Sequence, residues 1–345
     1  MSEASTPGVP TFTGQVDAGA LGVTLIHEHV FVRSPELDAS MPHPEWDEDA
    51  LVDRAVGLFQ RLHEHGVRTV VDLTVPGLGR DVRTVARVAE RVPVSLIAAT
   101  GWYTADVLPH AIRMNGPGRL VDGPDPLIEL FVGDIERGIA GTGIRAGMLK
   151  VVSDAEGITP DVERVFTAAA VAHAQTGVPI TTHSHAPSRG GLAQQRLLSG
   201  LGVRLDRVVI GHSGDSTDLA YLRELADAGS YLGFDRFGMS HVGSDEDRVR
   251  MLLALLEAGY GDRIVLSHDA AVFSRVTPPS WRAGTVPQWR MDHLFTTILP
   301  RLAREGVDER TIAQLMVDNP RRLLAAERST DLPRPEHAPP VGWGT

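Results

Sequence analysis

Val23-Thr24-Leu25-Ile26-His27-Glu28-His29 is a run of apolar and β-branched residues that ends in a polar triplet. Read as a strand, it puts His27 and His29 on one face and Glu28 on the other, because side chains two apart along a strand share a side. Seven more such runs follow, at residues 67–73, 94–99, 146–152, 179–183, 207–212, 230–235 and 263–269. The segments between them carry a helical period. Residues 47–65 place Leu51, Ala55, Leu58, Phe59 and Leu62 on one stripe that stops at Gly66, and the segments 161–176, 218–228 and 245–258 stop at Gly177, Gly229 and Gly259. Eight strands alternating with helices predict an α/β fold, a (β/α)8 TIM barrel in a single domain over residues 21–327. The flanks are an N-terminal segment, 1–20, and a Pro-rich C-terminal tail, 328–345. Residues 1–11 and the tail are expected to drape over the barrel or to stay mobile.

With 42% hydrophobic and 22% charged residues among 345, the chain has the make-up of an ordinary globular protein. Its formal charge of -11 disfavours nucleic acid and anionic membrane as partners, leaving a small-molecule substrate. The start has no signal-peptide pattern and no run approaches the ~20 apolar residues of a membrane helix, so the expected location is cytoplasmic. There is no cysteine. That excludes a disulfide framework, a thiol nucleophile and a thiolate metal site, and confines any metal to His and carboxylate ligands.

Barrel active sites sit at the C-terminal ends of the strands. Four other predicted strands end near Lys150, His183, His212 and Asp269, so these side chains converge on the same mouth as His27 and His29. An isolated His-x-His at a strand end is as compatible with a structural role; convergence is what favours a metal. Lys150 is the only lysine among 33 basic residues. As an ammonium it would be repelled by divalent ions. With its pKa depressed, the neutral amine can capture carbon dioxide and become a carbamate, whose two oxygens suit a pair of ions about 3.5–4 Å apart. The alternative is a solvated amine at a strand end. His63-Glu64-His65 repeats the triplet, but at a helix end, where two residues span about 200°. Those two histidines cannot chelate together.

The segments GVTLIHEH, TVPGLGRD, RAGMLKV, PITTHSHA, VVIGHSGDSTDLAYL, LGFDRFG and VLSHDA, in this order, resemble the phosphotriesterase family of the amidohydrolase superfamily, over about residues 21–320. The likeness implies that His27, His29 and Asp269 hold a buried ion, that His183 and His212 hold a more exposed one, and that carboxylated Lys150 and a hydroxide bridge them. It implies zinc, with cobalt, iron or manganese as alternatives, and a homodimer. His185 is left beside the substrate or behind the ligands, and His268 as structural.

The chemistry that follows is ester hydrolysis by attack of the bridging hydroxide, with Asp269 moving the proton. A serine nucleophile has only Gly211-His212-Ser213-Gly214-Asp215, which misses the G-x-S-x-G elbow at its last position. Tyr103, Arg236 and Trp289 are similar to substrate-binding residues of the phosphotriesterase-like lactonases, although packing or surface pairing also accounts for each. The expectation is lactone opening, N-acyl homoserine lactones among the candidates, with promiscuous phosphotriesterase activity. The alternatives are a primary phosphotriesterase (aryldialkylphosphatase), a hydrolase of another carboxylic ester, or a metabolite-binding barrel. Segment 239–244 is shorter and more polar than in the acyl-homoserine lactonases, which puts the acyl preference in doubt. Segment 270–290 reads as a long functional loop.

Overall fold

The structure, a computed structural model, describes residues 8–325. The tail 328–345 lies outside the described residues, as do residues 1–7. Each predicted run forms a strand. After β1 (Val9–Thr11) and β2 (Gly14–Val16) come β3 (Val23–Val32), β4 (Val67–Asp72), β5 (Ser95–Gly101), β6 (Ala146–Val152), β7 (Ile180–His183), β8 (Val208–Ile210), β9 (Tyr231–Phe234), β10 (Ile264–Leu266) and β11 (Ala271–Ser274).

Parallel pairing runs β10-β9-β8-β7-β6-β5-β4-β3-β11. β10 and β11 are two halves of one eighth stave, interrupted at residues 267–270. Across that gap the ring closes on β3: Asp269 N donates to His27 O at 3.0 Å, and His29 N donates to Ala270 O at 2.8 Å. The fold is a (β/α)8 TIM barrel. Ile26, Val71, Ile97, Met148, Val209, Tyr231 and Val265 fill its interior, while Leu25, Val70, Leu96, Leu149 and Ile210 face the helices.

The helices begin where short polar side chains can accept a free N–H of the first turn. Asp47 caps Glu48–Glu64 through Ala50 N, Thr159 caps Pro160–Thr176 through Val162 N, and Ser244 caps Asp245–Glu257 through Asp247 N. Among the described residues no helix is long and apolar enough to cross a membrane.

Two expectations differ. Val9–Thr11, read as part of a draped segment, pairs with β2 because Val9 finds burial and Phe12 N reaches Leu96 O at 2.9 Å. Segment 270–290, read as loop, contains β11 and the helix Pro279–Thr285. Val272 and Phe273 are buried there, which packs the start of the loop as a strand.

Candidate metal centre

A bulge aims the first triplet. On β3, Leu25 pairs with Val70 and Glu28 with Asp72, so three steps on β3 match two on β4. Simple alternation would set His27 opposite Ile26; the extra residue lets both face inward, as bulges beside functional sites commonly do. Glu28 points outward as expected and is fully buried. It accepts N–H bonds from His268 N at 2.9 Å, His268 Nδ1 at 2.6 Å and Ala270 N at 3.0 Å. His268 therefore has the structural role assigned to it.

All six predicted residues meet at the mouth. His29 Nε2 lies 3.1 Å and His27 Nε2 3.4 Å from Asp269 Oδ1, and His212 Nε2 lies 3.9 Å from Asp269 Oδ2. Lys150 Nζ is 3.3 Å from His27 Nε2, and His183 Nδ1 is 2.9 Å from His212 Nε2. Close approach is possible at Lys150 because Gly101 on the next strand has φ 135°: a Cβ there would stand 1.9 Å from Lys150 O. His212 lies beyond the end of β8, not within it, and turns inward through a left-handed backbone, φ 61°. Asp269 does the same at φ 54°. Only four described non-glycine residues have positive φ, so half of that costly conformation is spent on this cluster.

Which ring nitrogen carries the proton follows from the partners behind the rings. Asp235 accepts from His27 Nδ1 at 2.8 Å and from His212 Nδ1 at 2.9 Å. Thr74 Oγ1 donates to Asp72 at 2.6 Å and thus accepts from His29 Nδ1 at 2.9 Å. Asp154 accepts from His183 Nε2 at 3.2 Å. Each imidazole is thereby left with its lone pair facing the centre. Burial, then the Lys150 charge, pulls the His27 pKa down to about 4. Burial likewise lowers His183 and His212. Burial pushes Asp235 and Asp269 up, but the facing imidazoles, with Arg236 beside Asp269, outweigh it and hold both below the usual carboxylate range. Burial brings the Lys150 ammonium down to about 8.

Lys150 apart, the result is a nest of imidazole and carboxylate acceptors without protons between them. The His183 and His212 lone pairs oppose each other, and the His27 and His29 lone pairs oppose a carboxylate oxygen. Such a donor set is repulsive by itself and fits divalent cations, the borderline N/O ligation of zinc-like ions. His27, His29 and Asp269 form one group able to hold an ion; His27, His212 and Asp235 also lie close enough, but there Asp235 is occupied by two ring N–H groups.

The substrate-side residues are placed unevenly. Tyr103 sets its ring edge against His183, centroids 5.8 Å apart, and burial followed by the Asp269 charge pushes its phenol up to about 12. Arg236 donates to Asp269 Oδ2 at 3.2 Å and to Asp215 Oδ2 at 2.9 Å. Trp289 is anchored beside Asp269: its Nε1 donates to His268 O at 2.9 Å. His185 stays outside, with Nδ1 2.9 Å from Ser188 Oγ. Asp235, Asp154, Thr74 and Asp215 had been given no role from sequence. Asp235 was legible in principle, since it follows directly on β9 and closes the predicted run 230–235, as Asp269 closes the run 263–269; Asp154 sits in a loop and carries no such signal.

Comparison with known proteins agrees with this geometry. The phosphotriesterase family model matches residues 7–324. A phosphotriesterase homology protein of Mycobacterium tuberculosis is 46% identical over 92% of this chain and 98% of its own, and an aryldialkylphosphatase of Saccharolobus solfataricus is 37% identical over 90% and 97%. The solved structure of the phosphotriesterase from Mycobacterium tuberculosis superposes with a TM-score of 0.90 at 46% identity, covering 92% of this chain and 98% of that one. An inward-facing set of His, Asp and Lys side chains on a TIM barrel, matched along nearly its full length, makes this chain a member of the phosphotriesterase family of metal-dependent hydrolases.

Proposed function

We propose that this chain is a binuclear metal hydrolase that opens lactones and cleaves phosphotriesters more weakly. The observation that carries the metal reading is the inward orientation of four imidazole lone pairs around Asp269 and Lys150. His27, His29 and Asp269 would hold one ion, His183 and His212 the other. Lys150, as a carbamate, would link them: its neutral Nζ forms a bond to carbon dioxide, one C=O π pair becomes the carboxylate charge, and the amine loses a proton to solvent. A depressed Lys150 pKa supports that step by supplying neutral amine near physiological pH. Two divalent ions, zinc by preference with cobalt, iron or manganese as alternatives, supply Lewis-acid polarisation of an ester oxygen and a nucleophilic water at neutral pH.

The chain's own groups do the rest. Asp269, kept unprotonated by its neighbours, takes up the proton of the attacking water and delivers it to the departing oxygen. Arg236 holds the Asp269 carboxylate in position through Oδ2. Tyr103, protonated across the neutral range, offers its hydroxyl as a hydrogen-bond donor beside His183, which suits the acyl oxygen of a lactone. Trp289, anchored through Nε1 to His268 O, would line the substrate pocket.

A second reading, primary phosphotriesterase activity, is favoured by the aryldialkylphosphatase relative. Turnover of a lactone panel and of paraoxon-like triesters by the metal-loaded enzyme separates the two. The expected order is lactone over triester, and fast triester cleavage without lactone turnover reverses it. The homodimer expected from the family likeness is tested by sedimentation.

A further inference from the structure

Outside the barrel mouth, a cavity of about 260 Å³ lies between the helix Glu48–Glu64 and the segment from β11 to Asp292. This is just below the ~300–1,000 Å³ common for small-molecule sites, so it suits a compact ligand. None of the six clustered residues lines it. Its walls are apolar at Leu58, Val272 and Val286, and basic at Arg54, Arg61 and Arg282.

The basic groups lack acidic partners. Arg282 is only 7% exposed, yet its guanidinium donates solely to the backbone oxygens of Thr277, Ala271 and Val272. A buried cation without a counter-charge is costly, and such groups are ordinarily paired. Burial, then Arg54, holds its pKa down to about 10. Arg61 donates only to Gly57 O of its own helix, and Arg54 makes no hydrogen bond or ion pair with any described residue. The one acidic residue of the lining, Asp292, is taken by Arg290. Glu45, which also acts on Arg282, is held by Ser280 N and Oγ.

We propose that this cavity binds a small amphiphilic carboxylate, its head among Arg54, Arg61 and Arg282 and its tail on Leu58, Val272 and Val286. The occupied cavity bears on Asp269 from both sides. Arg282 grips the carbonyls of Ala271 and Val272, and Trp289 on the same wall grips that of His268. A bound carboxylate therefore changes turnover without entering the mouth, and this last consequence alone rests on the proposed hydrolase activity. A ring-opened lactone belongs to the same ligand class as a fatty acid; comparing 4-hydroxydecanoate with octanoate distinguishes the two sources.

Calorimetry on the full metal-loaded chain tests the site without turnover. Octanoate is expected to bind at one site per chain, at least about tenfold more tightly than octanol, and to weaken by at least about tenfold in the exposed double variant Arg54→Gln/Arg61→Gln. Ala283→Trp, which fills the cavity, is expected to abolish binding and leave metal content unchanged. Absence of saturable binding overturns the proposal. So does binding that survives both variants, or that is competitive with substrate, since the carboxylate then sits in the mouth. Failure of the hydrolase reading leaves the calorimetric result standing by itself.

Discussion

His27-Glu28-His29 and His63-Glu64-His65 are the same three letters with opposite fates. The first lies on β3, where a bulge turns both imidazoles into the barrel and Glu28 out to the seam. The second closes the helix Glu48–Glu64, with His65 as its C-cap, His63 Nδ1 3.2 Å from Arg68, and the His65 ring stacked on Phe295. Ligand geometry thus belongs to the backbone that carries the letters, and to what stands behind each ring. His27 has Asp235 and His29 has Thr74; neither helical histidine has a buried acceptor to fix its proton.

The sharpest way to break this contrast is to remove the residue proposed to link the two halves of the strand-borne site. Lys150→Ala is expected to lose one or both metals and at least about 1,000-fold in kcat, with partial recovery on adding a short carboxylate. Metal analysis beside turnover checks it, and full metal content with normal turnover would sink the bridging role. Next in size, Asp235→Asn removes the acceptor shared by two rings and is expected to cost about 10–100-fold in metal affinity, read by competition with a chelator.

The metal-free chain sharpens the comparison through pH. His27 stays neutral in the fold down to about 4 but takes up a proton near 6.5 when unfolded. Between those values the unfolded state binds more protons, so stability rises with pH and is lost as pH falls, by on the order of 3 kcal/mol for this one group. His183 and His212, lowered in the same direction, add to the loss. Urea titrations of metal-free protein across pH 4 to 6.5 are expected to show that slope, and His27→Gln to flatten it. Smallest of all, the exposed-end variant His63→Ala is expected to leave metal content unchanged and stability within about 0.5 kcal/mol. A change in metal content there would show that the helical triplet had been misjudged.

The barrel was legible because its evidence is periodic and local: β-branched runs, apolar stripes and the glycines Gly66, Gly177, Gly229 and Gly259 that stop four of the helices. The six converging side chains were legible because strand ends of a barrel share one mouth. What escaped depends on contacts between distant segments. Nothing in the order of residues announces that β3 carries an extra residue, or that Asp154 reaches back to His183. The short strand at Ala271–Ser274 was missed for a related reason: it pairs with a strand 242 residues earlier, His29 with Ala271. For Trp289 the likeness gave a pocket-lining role, and the structure adds a contact that sequence does not announce, its indole N–H on the backbone before Asp269.

That distant pairing also sets an order of events in manufacture. During synthesis the N-terminal half of the mouth emerges long before Asp269 and the seam that Glu28 stitches. His27 and His29 must wait on the ribosome's product for some 240 residues before their carboxylate partner exists. A chain stopped short of the eighth stave therefore lacks both ring closure and the carboxylate that completes the His27, His29 and Asp269 group. Assembly of the cluster then doubles as a certificate that translation has passed the eighth stave.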